Sequence, residues 1–128
     1  MKQNAIRFAG LAFTLLAVAP SASRAETQDE IRGKYYTAIM CGTYMSAFTI
    51  YAQRAKEKEL EAAFEAATER SMRETVSLGA KLGITEAGAI DEFKNTAKIN
   101  ANSHPSYNEA EIEQYTTSCA PEILPLLK

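Results

Sequence analysis

Histidine occurs once in the 128 residues and cysteine only twice, and that scarcity removes most chemistry at the outset. A zinc site draws three or four ligands from closely spaced Cys, His and carboxylates, and His104 has no Cys or His nearby. There is no Cys-x-x-Cys-His haem attachment, no Gly-rich phosphate loop and no His-Glu-x-x-His pair. No metal and no cofactor are therefore expected. A Ser-His-Asp arrangement would have to use His104, whose seryl neighbours Ser103 and Ser106 sit in the same polar stretch. A histidine there lacks the positioned third group that makes a useful base. The alternating apolar pattern of a strand is also missing, as are repeats and linkers. Basic stripes are absent too, which makes nucleic acid an unsuitable partner.

What the chain does have begins with its first 25 residues. Lys2 and Arg7 supply positive charge, Phe8 to Val18 is apolar, and Ala19 to Ala25 is small and polar. This is the layout of a secretory signal peptide, with cleavage expected after Ala25. An uncleaved anchor is the competing reading, but eleven apolar residues span only ~16 Å as a helix against a bilayer core of ~30 Å. No cysteine follows the cut to carry a lipid, so no stable membrane anchoring is expected. Removal of residues 1–25 leaves 11 basic and 16 acidic residues, a charge of −5. With 46% hydrophobic residues and 23% charged ones, the chain as a whole has the composition of a folded protein rather than a disordered one.

Export to the periplasm or beyond places Cys41 and Cys119 in an oxidising compartment, where a pair of cysteines reads as a disulfide. The alternative is two buried free thiols. A bridge between them would close nearly the whole mature chain, for which chain entropy alone gives roughly 4 to 5 kcal/mol.

Residues 26–128 are expected to form a single helical domain. From Gln28 to about Lys58, Ile31, Tyr35, Ala38, Cys41, Met45, Phe48, Ala52 and Ala55 recur at steps of three or four, which predicts one apolar helix face. Gly33 and Gly42 interrupt it and mark a bend or a close helix approach. A second helix is predicted over Glu59–Leu82, with Glu69 and Arg73 as an outward i, i+4 pair and Gly83 ready for a left-handed turn. Thr85 caps a third, fading near Asn100, with Ile90, Phe93 and Ala97 inward. After a polar loop, Asn108 and Glu111 spell a capping box, so the fourth helix starts at Glu109 and carries Ile112, Tyr115 and Cys119 on one face. Pro121 limits it, and Leu124, Leu126 and Leu127 are expected to pack as a terminal clasp. The fold class is thus an all-α, four-helix bundle with helix one stapled to helix four. Which helices neighbour which is not otherwise written in the sequence.

Two features bear on function. Carboxylates cluster at Asp91 and Glu92 and at Glu109, Glu111 and Glu113, a pattern that suits acid–base chemistry but that the dipole at helix starts also explains. Tyrosine is enriched in helix one: Tyr35, Tyr36, Tyr44 and Tyr51 accompany Phe48, and Tyr44, Phe48 and Tyr51 share a stripe. The stripe reads either as core or as a groove of apolar rings with polar tips. Tyr35 and Tyr36 cannot share a face, so one of them is expected to be exposed and is a candidate contact for a partner. All four tyrosines are candidates for partner binding.

The plan of leader, short helical domain and two cysteines resembles that of the periplasmic acid-stress chaperones. It is equally similar to small periplasmic immunity proteins that neutralise cell-wall toxins. The resemblance covers the plan and the existence of Cys41 and Cys119, whose spacing is longer than in the chaperones; it carries over no functional residue. The expected function is that of a non-enzymatic periplasmic protein with an unidentified protein partner, an inhibitor or immunity type. An acid-stress chaperone is the alternative, and a small hydrolase using His104 the third.

Overall fold

Thr27 caps the first helix, because its side chain accepts from the Glu30 amide while the Glu30 carboxylate accepts from the Thr27 amide. That reciprocal cap satisfies two donors the first helical turn would leave open. A computed structural model describes residues 25–127; the predicted leader, apart from Ala25, lies outside the described residues. It contains α1 (Gln28–Arg54), α2 (Lys58–Lys81), α3 (Glu86–Ser103) and α4 (Glu109–Cys119), followed by a 3₁₀ segment (Pro121–Leu126). The four-helix bundle is as the apolar spacing predicts, and among the described residues there is no strand. No helix among them is long and apolar enough to cross a membrane.

α1 is the spine, roughly 40 Å long at 1.5 Å per residue. α2 and α3 pack on it and on each other, α4 packs on α1, and the 3₁₀ segment packs on α2 and α4. The core falls into two parts. Tyr35, Ile39, Ala89 and Phe93 form one, while Met45, Phe48, Leu60, Phe64, Ile112 and Ile123 anchor the other. Each of these large side chains contributes about 1.5–3 kcal/mol by leaving water. Between them runs a waist of small and polar residues, Gly42, Thr43, Ser71 and Thr75, all buried. Thr43 and Thr75 stay satisfied there by donating to the carbonyls of Ile39 and Ser71, at 2.9 and 2.8 Å.

Gly42 marks a close helix approach, since Phe93 of α3 and Ser71 of α2 crowd the place where its Cβ would be. Gly33 faces open space and has no such role. The disulfide joins Cys41 to Cys119 at this level, with the two Cα atoms 5.4 Å apart. It ties α4 to the middle of the spine as expected, and α1 and α4 are neighbours. Gly83 takes the left-handed conformation, φ +79°, and ends α2.

Four details depart from the sequence reading. α1 stops at Arg54 rather than near Lys58, and Ala55 is its exposed cap. Lys56, at φ 61°, makes the turn without glycine or proline. α3 runs on to Ser103 rather than fading near Asn100, because the hydroxyl of Ser103 and the side chain of Asn100 both find partners within reach. Glu69 and Arg73 are both exposed and form no ion pair; the neighbouring Arg70 instead pairs with Glu122 at 2.7 Å. The terminal clasp centres on Ile123, 2% exposed, with Leu126 and Leu127 half-buried against the same core.

Candidate functional site

The tyrosines of α1 go to four different environments. Tyr35 is core, 1% exposed, and its hydroxyl donates to Glu92 Oε1 at 2.7 Å. Burial, reinforced by the Glu92 charge, pushes its phenol pKa well above the ordinary value. Glu92 therefore has a structural task. Tyr36 is the exposed member of the pair, at 50%. Tyr44 is half-buried and stacks on Tyr115 of α4, ring centroids 3.9 Å apart and planes at 11°. Burial, then the Tyr115 hydroxyl, raises its pKa. Tyr51, half-buried at the end of α1, borders two hollows.

Around Tyr44 the rings build a cluster that α1 and α4 share with the loop between α3 and α4. Tyr107 stands edge-on to Tyr44, Phe48 and Tyr115, and Phe48 meets Phe64 of α2 the same way. Asn100 donates its amide to the Tyr107 hydroxyl at 2.7 Å. Tyr107 holds the position just before the Asn108 cap, where a hydrophobic side chain commonly packs back onto the helix it precedes. The same motif that located the start of α4 thus also held the signal for Tyr107.

His104 does not meet a nucleophile. Its ring lies on Tyr107, centroids 4.2 Å apart, and its Nε2 is 3.7 Å from Glu111 Oε2. Ser103 turns its hydroxyl back to the Ile99 carbonyl. Glu111 closes the α4 capping box with Asn108. Among the described residues no group of three His, Cys, Asp or Glu is placed to hold a metal ion.

A hollow with a consistent chemical character lies at the Tyr51 end of the bundle. It measures about 500 Å³, within the ~300–1,000 Å³ of ligand clefts. Leu60 and Ile112, both buried, form its floor, and Tyr51, Leu124 and Leu127 its half-buried walls. Glu57, Glu109 and Glu113 stand exposed on the rim, and no Lys or Arg lines it. A second hollow, about 830 Å³, follows α1 and α2 past the disulfide. Its Glu26, Lys34, Arg70 and Lys81 are of both signs and are already engaged in ion pairs. Of the tyrosine candidates only Tyr51 borders the acidic cleft, joined there by Glu109 and Glu113 of the carboxylate cluster on α4; Glu57, Leu60, Leu124 and Leu127 come to it from turns and ends that periodicity does not connect. No protein-family model, no curated protein and no solved structure matches the chain.

Proposed function

We propose that this is an exported, non-enzymatic periplasmic protein that works by binding another protein, in the manner of an inhibitor or immunity protein. The observation that supports the reading is the Tyr51 cleft, a recess with an apolar floor, a charged rim and no nucleophile–base pair aimed into it. Interfaces draw their affinity from such recesses filled by a partner's anchor side chain. The disulfide fits an oxidising compartment. The test is a photo-crosslinking amino acid at position 51 of the full chain, expressed with its leader. One discrete adduct with a single protein, absent without light, is the expected result. No adduct from position 51, nor from the exposed position 36, would overturn the reading.

A second reading, an acid-stress chaperone, has its own support. Both described ends of the chain are latched by carboxylates: Glu26 to Lys34 and Lys81, and Glu122 to Arg70. Lys34 holds the Glu26 carboxyl below its usual range. Protonation would loosen the segment that covers Leu60 and its neighbours. Suppression of client aggregation at about pH 3, absent at pH 7, would favour it over the first.

A further inference from the structure

Resting on the binding reading above, we infer that the Tyr51 cleft takes a cationic peptide segment, one apolar side chain seated between Leu60 and Leu127 with Lys or Arg residues beside it facing Glu57, Glu109 and Glu113. The floor is prebuilt, because Leu60 and Ile112 are 3% and 2% exposed and belong to the core. An anchor therefore meets a rigid surface, which limits the entropy lost on binding.

The fold accounts for the rim only in part: Glu109 opens α4, where the helix dipole favours negative charge. Glu57 occupies the cap position of α2 yet makes no capping hydrogen bond. Glu113 lies beyond the first turn of α4, where the helix dipole has faded. Glu111, one residue pair earlier, already serves as the capping carboxylate. None of Glu57, Glu109 and Glu113 pairs with a Lys or Arg among the described residues.

Three carboxylates without an ion-pair partner among the described residues repel phosphates and other anions. They are not gathered closely enough to hold a metal ion, so the matching positive charge must be distributed. A peptide with basic residues on either side of an apolar anchor supplies both the spacing and the filling. A polyamine supplies the charge alone, and an uncharged acyl chain the filling alone. Electrostatic complementarity of this kind sets orientation and association rate and weakens with salt.

The experiment is a fluorescence-anisotropy titration of the oxidised mature protein with a labelled peptide of alternating lysine and leucine. Matched peptides carry glutamate for lysine or serine for leucine, and spermidine serves as competitor. Only the lysine–leucine peptide should bind, with affinity falling about tenfold or more in the Glu57→Gln/Glu113→Gln variant and steeply between roughly 50 and 500 mM salt. The exposed Glu65→Gln, away from the cleft, serves as control and should leave binding unchanged. Equal binding of the glutamate or serine peptide overturns the inference, as does full displacement by spermidine, indifference to the double variant, or no binding. If the crosslink at position 51 still forms one adduct while the lysine–leucine peptide fails, the occupant is wrong and the binding reading stands. If both fail, both fall.

Discussion

The ring of Phe93 occupies the space that a side chain on Gly42 would need, its Cζ only 2.1 Å from where a Cβ would lie. Gly42→Ala should therefore force α3 away from the spine at a cost of about 1–3 kcal/mol, the usual penalty of overpacking. Gly33→Ala meets nothing within 4 Å and should stabilise α1 by about 0.5–1 kcal/mol. Urea titrations of the two variants should move in opposite directions; equal shifts would contradict the packing.

The Cys41–Cys119 bridge should show in the mass of the protein as two hydrogens fewer than the reduced chain. Its loss through a Cys41→Ser/Cys119→Ser variant should cost about 2–5 kcal/mol. Because α4 is the shortest of the four helices and packs chiefly on α1 and on the terminal segment, amides of α4 should lose exchange protection before those of α1–α3. Uniform loss across all four helices would show that the bundle melts as one unit.

The latch on the terminal segment should respond to acid in a defined sense. The carboxyl of Glu122 is held below its ordinary range first by its own backbone N–H and then by Arg70. A depressed carboxyl contributes stability above its unfolded value of about 4.3, and that contribution disappears as pH falls through the folded value. Arg70→Ala should therefore cost a few tenths of a kcal/mol at pH 7, as exposed pairs do, and less once Glu122 is protonated, when only the weak contact of Arg70 with the Cys119 carbonyl is left to lose. Melting temperatures across pH 7 to 2 would check it; a gap that is unchanged at pH 2 would deny the pair its role.

Thr116 is fully buried and its Oγ1 finds no hydrogen-bond partner. Thr116→Val keeps the shape and removes a hydroxyl that folding strips of water, so it should raise stability by about 1 kcal/mol. Thermal denaturation reads this directly, and a decrease would indicate a partner for the hydroxyl in solution.

The turn between α1 and α2 is where the residues speak least clearly. Arg54 to Glu61 is a charged run with neither glycine nor proline, and the chain reverses by placing Lys56 at φ 61°. That conformation costs an L-residue roughly 1–2 kcal/mol, so Lys56→Gly should stabilise the protein by about 1 kcal/mol in the same assay.

By contrast, Thr85, Asn108 with Glu111, and Gly83 announced their caps and turn in plain chemistry, since each acts on backbone groups a few residues away. The pairing of Cys41 with Cys119 followed from their number and inward-facing spacing. The cleft did not. Tyr51, Glu57, Ile112 and Leu127 are brought together by packing across three helices and a terminal segment, and periodicity along one helix carries no information about that meeting. The same limit explains Tyr35 and Tyr44, whose spacing made them candidates for partner contact while their actual neighbours, Glu92 and Tyr115, lie 57 and 71 residues away.

With only two cysteines in the whole sequence, oxidation within one chain has a single possible product. Shuffled isomers cannot form, and an isomerase has nothing to correct. Cys41 nevertheless precedes its partner by 78 residues, so in a chain threading out from its N-terminus it waits unpaired until the last helix arrives. The one wrong bond open to it during that interval is to another molecule. Misoxidised material should accordingly be disulfide-linked dimer, and its share should rise with the rate of synthesis rather than with the strength of the oxidant.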